Sequence, residues 1–182
     1  MHRLLFPALL LLFSLALSAQ SPRAEIGLEF GGLRQNVFGE YPVTAGGRLT
    51  VHAWSLFDGE AQVDRFPVGG GVALFPGTEV TIGTRVGRRF GPIGVYGKVA
   101  PGFIRFDSNL YTPTLGTRPT LAVGGVLEFY SRRHIAARFD IGDTVVWYGT
   151  DLTVPAIAAP GPATVAGTRH QAQWSLGLSV WF

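Results

Sequence analysis

The sequence predicts an all-β fold, an eight-stranded antiparallel up-and-down transmembrane β-barrel. Three observations carry that expectation. From Ala24 onward apolar residues recur at every second position, the period of a strand, with no long stretch of helical period. The segments so defined are joined by connections that alternate long and short along the chain. Each segment also sets one greasy face against a face of charges, glycines and small polar residues.

Ahead of the first strand, Met1-His2-Arg3 leads into an almost unbroken apolar run from Leu4 to Leu17, followed by small residues at Ser18 and Ala19. A basic start, a short greasy core and a small-residue cleavage site make a secretory leader. The run is short for a membrane helix and has no stop-transfer flank, which argues against a retained anchor. The expected organisation is a signal peptide over residues 1–19 and one barrel domain over residues 20–182.

The first strand alternates Ile26, Leu28 and Phe30 with Glu25, Gly27 and Glu29, and the second alternates Leu49, Val51 and Ala53 with Arg48, Thr50 and His52. A third is expected over Gly59 to Phe66, where Ala61 and Val63 oppose Glu60, Gln62 and Asp64. The fourth sets Val80, Ile82, Thr84 and Val86 against Thr81, Gly83, Arg85 and Gly87. The fifth, Ile93 to Phe106, sets Val95, Val99 and Phe103 against Tyr96 and Lys98. Pro101 has no N–H to give a ladder, so a bulge or kink is expected there.

In the sixth strand Leu121, Val123, Gly125, Leu127 and Phe129 oppose Ala122, Gly124, Val126, Glu128 and Tyr130. The seventh, Ile135 to Tyr148, begins with Ala137, Phe139 and Ile141 against Arg138, Asp140 and Gly142. Strict alternation would then put Asp143 on the greasy face, so a bulge near Gly142 is expected to turn it inward. The last strand carries Trp174, Leu176, Leu178, Val180 and Phe182 on one face and Gln173, Ser175, Gly177, Ser179 and Trp181 on the other.

Three connections are short (Ser55 to Asp58, Arg88 to Pro92, Ser131 to His134) and four are long (Arg34 to Thr44, Pro67 to Gly77, Asp107 to Arg118, Gly149 to Thr168). Short turns on one side of a membrane and longer loops on the other give this parity. The last long segment, rich in Pro, Ala and Gly, is expected to hold little structure.

A soluble barrel would turn its apolar faces inward, so the sidedness has to be argued. The polar faces carry Glu25, Glu29, Arg48, Glu60, Asp64, Arg85, Lys98, Glu128, Arg138 and Asp140, both signs together. In a narrow barrel such groups can fill the interior as a paired network, for which Glu29, Arg48, Arg85, Lys98, Glu128, Arg138 and Asp140 are the expected members. The apolar faces carry rows of Leu, Val, Ile and Phe, with Phe30, Phe129, Trp174 and Phe182 near strand ends where interfacial girdles sit.

The chain ends on an alternating apolar strand closed by an aromatic residue, Trp174-Ser175-Leu176-Gly177-Leu178-Ser179-Val180-Trp181-Phe182. This resembles the assembly signal of bacterial outer-membrane proteins, with Trp174, Leu176, Leu178, Val180 and Phe182 as its residues. Strand number and length resemble the small OmpA-like eight-stranded barrel family over nearly the whole expected mature chain. The resemblance implies a bacterial outer-membrane location, insertion by the barrel-assembly machinery, termini in the periplasm, and outer-membrane lipid and lipopolysaccharide as surroundings. No segment that could be a periplasmic peptidoglycan-binding domain follows the barrel, so that function is not expected.

Composition narrows the function classes. With no cysteine, disulfides, thiolate metal sites and cysteine nucleophiles are excluded. The formal charge is +3; without Arg3 the expected mature chain has 14 basic and 12 acidic residues, and the basic ones are scattered. Nucleic acid is not an expected partner. Motifs of hydrolases, zinc proteases, P-loops and dinucleotide folds are absent, and Gly69-Gly70-Gly71 lacks the Lys-Ser/Thr of a phosphate loop.

His52, His134 and His170 fall on different segments without metal-ligand spacing. Some outer-membrane barrels modify lipid A with a His, a Ser and an acid; His52 with Ser55 is the nearest match, and it runs into a turn. No catalytic residue, cofactor or metal is therefore expected. The leading expectation is a non-enzymatic barrel that supports envelope integrity or presents loops for adhesion or an extracellular partner. A lipid A-modifying enzyme and a narrow channel or small-ligand carrier are the alternatives.

Overall fold

The computed structural model describes residues 24–35, 41–54, 56–66, 76–107, 116–131, 134–154 and 163–182; the expected leader lies outside them. Eight strands follow in order: β1 (Ala24–Leu33), β2 (Val43–His52), β3 (Phe57–Phe66), β4 (Gly77–Phe90), β5 (Ile93–Phe106), β6 (Thr117–Tyr130), β7 (Ile135–Val154) and β8 (Ala163–Trp181). Each pairs antiparallel with the next, and β8 pairs with β1 to close a barrel. Reciprocal backbone hydrogen bonds between Ala24 and Phe182, each 3.0 Å, seal the seam at the terminal end.

The stagger can be followed rung by rung. From Ala24 the ladder passes through Val51, Gly59, Thr84, Val99, Val123, Asp143 and Ala172, whose carbonyl accepts from the Arg34 N–H. One circuit thus climbs ten residues along β1, from 24 to 34. A stagger of this size obliges the strands to tilt, by about 35–45° in barrels of this kind, and leaves an interior that side chains alone can fill.

The sidedness is inverted relative to a soluble barrel. Leu28, Ile82 and Leu178 on the outer wall are 74%, 67% and 64% exposed, whereas Arg85, Glu128 and Arg138 inside are 0%, 0% and 2% exposed. Rows of bare aliphatics around a whole circumference are stable only where the surroundings are themselves apolar. Aromatic residues ring both ends of these rows: Phe57, Phe90, Phe129 and Phe182 at the end that holds the termini, and Phe30, Phe103, Trp147 and Trp174 toward the other. The barrel therefore spans a membrane.

Three local expectations are corrected. There is no bulge at Gly142: β7 holds one register against β6 from Ala136 to Val146, and against β8 from Ile135 to Trp147. Gly142 instead allows close approach, since a Cβ there would lie 2.4 Å from the Val123 carbonyl oxygen. Asp143 consequently stays on the outer wall. The irregularities come later, between Trp147 and Leu152, where Gly149 and, opposite it, Gly167 take φ of 82° and 75°. These left-handed positions suit glycine, and they let the β7–β8 hairpin continue as strand to Val154 and from Ala163. Much of the segment expected to hold little structure is thus paired; residues 155–162 lie outside the described residues.

Pro101 does not bulge β5 either. The β4–β5 ladder omits the rungs opposite Ile82 and Gly83 and resumes with its register unchanged, while pairing with β6 runs through Pro101 without interruption. Loss of a donor costs local pairing on the β4 side without inserting a residue.

Candidate functional site: the charged interior and its mouths

Alternation turns every second residue of every strand inward, and that places charge from seven strands in one small volume. Glu29, Arg48, Arg85, Lys98, Glu128, Arg138 and Asp140 all line the interior, joined there by Glu25, Asp58, Glu60, Asp64 and Glu79. Arg85 donates through Nε to Asp58 at 2.7 Å and through Nη1 to Glu128, with Glu25 at 3.8 Å. Arg138 forks onto Glu60, with its Nη2 at 3.0 Å, and onto Asp140 at 2.6 Å. Lys98 lies between Glu60 at 3.3 Å and Asp140 at 3.7 Å and donates to Gln62 at 2.6 Å.

Higher in the barrel, Arg48 donates to Glu29 at 3.3 Å and lies 4.0 Å from Glu25, and Ser175 donates to Glu29 at 3.2 Å. The forked guanidinium geometry explains why three of the four interior cations are arginines: one planar group can satisfy two carboxylates at once. The signs do not balance. Within this network eight carboxylates face four cations. The surplus gathers where Asp64 and Glu79 sit directly opposite each other on β3 and β4. Asp64 takes a 2.6 Å hydrogen bond from Gln62, but Glu79 Oε1 is buried with no hydrogen-bond partner.

Aromatic layers bound this network at both ends. Toward the long connections Phe66 meets Phe106 edge-on at 6.4 Å, and Phe106 stacks on Tyr148 at 6.3 Å. Leu33, Ile104 and Val146 are buried at the same end, and Gln171 donates to the Tyr148 hydroxyl at 2.9 Å. Toward the termini, Tyr130 donates to Glu128 and lies 3.2 Å from the Tyr96 hydroxyl. Arg85 sits 4.5 Å from the Tyr96 ring and Arg89 4.0 Å from the Tyr130 ring. The interior is thus layered: an apolar plug, an ion network and a tyrosine floor.

The histidines divide three ways. His52 is half-buried in the mouth near the termini, its Nδ1 on Asp58 and so at the outer end of the Arg85 chain. His134 takes φ of 60° in the turn before β7 and packs 4.4 Å from the Trp181 ring. His170 is on the outer wall, its Nδ1 joined to Asp143. That last pair was invisible to sequence reasoning because 27 residues separate its members and only the β7–β8 register brings them together. Ser55 lies outside the described residues. No group of three or more metal-ligating side chains with suitable geometry occurs among the described residues.

The residues Trp174, Leu176, Leu178, Val180 and Phe182 form one exposed outer row along β8 and the residue that follows it. No family model and no curated protein sequence matches the chain. Solved structures do. The N-terminal β-barrel domain of Pseudomonas aeruginosa OprF aligns with a TM-score of 0.55 at 12% identity, covering 89% of this chain and 100% of that one. Neisserial surface protein A aligns with a TM-score of 0.56 at 12% identity over 88% and 97%. Ail, the attachment invasion locus protein of Yersinia pestis, solved with the heparin analogue sucrose octasulfate, aligns with a TM-score of 0.53 at 12% identity over 88% and 99%. Together with the closed antiparallel topology, these likenesses give the chain the eight-stranded transmembrane barrel fold of the small OmpA-like outer-membrane proteins.

Proposed function

We propose that the protein is a non-enzymatic barrel of the bacterial outer membrane, contributing to envelope integrity and offering its long connections for adhesion or for an extracellular partner. The observation that carries this reading is the filled interior: Arg85 and Arg138 are fully buried in an ion network closed off by Phe66, Phe106 and Tyr148. A barrel plugged in this way is a rigid post, and its adaptable surface is the loop end. The same filling counts against a conducting channel.

The girdled apolar wall supports this location, and the exposed row from Trp174 to Phe182 supports insertion by the barrel-assembly machinery. Both termini would then lie in the periplasm with the short turns. The attachment protein Ail shares the fold, which supports an adhesive use of the loops here.

The experiment is a deletion strain complemented in two ways, with the full chain and with a barrel whose four long connections are cut to tight turns. Loss of the protein should raise sensitivity to detergents and reduce adherence to host surfaces or to neighbouring cells. The trimmed barrel should restore the first trait and not the second. A strain unchanged in both would refute the reading.

A further inference from the structure

The outer wall is not uniformly greasy. Where β8 closes onto β1, toward the long connections, lies a groove of about 420 Å³. Its base is formed by the small Ala172 and by Gly32, over which the Trp174 indole lies; Phe30, Tyr41, Val43 and Ile141 wall it. The absence of a side chain at residue 32 matters, because a Cβ there would lie 2.9 Å from the Trp174 indole nitrogen. The volume is within the roughly 300–1,000 Å³ of small-molecule sites.

The upper rim is polar. Arg34, the residue just past the end of β1, lines the groove with its guanidinium 5.5 Å from the Tyr41 ring. On the other side Asp143, paired across the ladder with Ala172, holds the imidazole of His170. Apolar trench below and fixed charge above is the arrangement of an amphiphile, chain down and head group up. Arg34 is the charged side chain in the groove's own lining, which favours an anionic head group.

We propose that this groove holds one acyl chain of a phosphorylated lipid of the surrounding outer leaflet, with Arg34 binding the phosphate and the Asp143–His170 pair marking the height at which head groups begin. The inference rests on the outer-membrane reading above. A guanidinium suits the task because its fork can hold two phosphate oxygens at once. The acyl chain is already out of water in the leaflet, so the groove offers it packing contact alone, and the charge supplies the selectivity.

The test is native mass spectrometry of the full chain purified from membranes in detergent, incubated with bisphosphorylated lipid A, dephosphorylated lipid A or dioleoylphosphatidylcholine. Wild type should retain one bisphosphorylated lipid A and discriminate against the other two. Ala172→Phe, which fills the trench, should lose retention of both lipid A forms. Arg34→Gln should weaken retention of the bisphosphorylated form about tenfold, as expected for one charged hydrogen bond, and leave the dephosphorylated form unchanged.

Heat-modifiable gel mobility checks that each variant is folded, and Val95→Phe on another part of the wall is the control for added bulk. If Ala172→Phe fails to fold, Arg34→Gln alone decides. Equal retention of phosphorylated and dephosphorylated lipid by wild type, or unchanged retention by Arg34→Gln, would overturn the site. Cell fractionation keeps the two readings apart: a chain absent from the outer membrane would refute the location, whereas a correctly located barrel without lipid selectivity would refute only the groove.

Discussion

Arg138 on β7 and Glu60 on β3 join hands across the full width of the barrel, 78 residues apart in sequence and on strands that share no ladder. Each wall of the barrel is already fixed to its neighbours by backbone hydrogen bonds. The Arg138–Glu60 fork adds a strut between opposite walls, buttressed by Asp140 and by Lys98.

Breaking that strut on one side should be worse than removing it. Arg138→Met leaves Glu60, Asp140 and Glu128 short of a buried counter-charge and should cost about 3–5 kcal/mol. Adding Glu60→Gln should recover part of the loss. Urea unfolding in detergent or lipid checks both, and strictly additive losses in the double variant would show that the two side chains are energetically independent.

Asp64 and Glu79 give the opposite sign. They face each other directly across the β3–β4 ladder, both buried, and Glu79 Oε1 has no hydrogen-bond partner among the described residues. Two buried carboxyl groups so placed cannot both ionise without repulsion, and the unpartnered Glu79 oxygen adds its desolvation cost. Glu79→Gln relieves the repulsion and presents an amide donor to Asp64. Stability at neutral pH should rise by roughly 1 kcal/mol. A clear loss in the unfolding midpoint would mean that the surplus negative charge is itself required.

Which features could be read from the sequence depended on whether they were periodic or relational. Period-two alternation from Ile26 to Phe182 carried the strands, their sidedness and the closed barrel, because on a pleated wall facing lipid every second residue must be apolar. The same alternation put Arg48, Arg85, Lys98 and Arg138 on the mixed face. It could not say which acids each would meet, since the Arg138–Glu60 and Arg85–Glu128 contacts depend on barrel curvature and stagger.

Asp58 and Glu79 went unweighted because they sit at the ends of their alternating runs, and the plug of Phe66, Phe106 and Tyr148 looked like strand-end aromatics of no particular layer. Asp143 misled for a physical reason. A charge on a lipid-facing row argues for a bulge, yet the protein keeps the register and gives the carboxylate a histidine partner near the polar edge of the wall.

Phe182 couples the end of the chain to barrel closure. Its N–H donates to the Ala24 carbonyl and its own carbonyl accepts from Ala24, so it supplies the last rung of the β8–β1 seam while its ring extends the outer row of Leu176, Leu178 and Val180. Deleting it removes both the rung and the aromatic. The folded, heat-modifiable form in the outer-membrane fraction should fall well below wild type while Phe182→Tyr is tolerated. Equal accumulation of the truncated chain would remove the terminal aromatic from any part in assembly.

Conduction tests the interior as a whole. A solute crossing from the terminal end would have to displace Tyr96 and Tyr130, part Arg85 from Asp58 and Glu128, and part Arg138 from Glu60 and Asp140. It would then meet the stacked rings of Phe106 and Tyr148. Separating any one of these buried pairs leaves a charge without its partner, at a cost of several kcal/mol. Purified protein in planar bilayers should therefore give no long-lived ohmic conductance. The plug and the network can be separated by mutation: Phe106→Ala with Tyr148→Ala opens only the outer layer and should remain silent, because the arginine forks below it still bridge the walls. Stable channels in wild type whose ion selectivity changes with Arg138→Glu would make the interior a pathway, and the reading of it as a space-filling strut would fail.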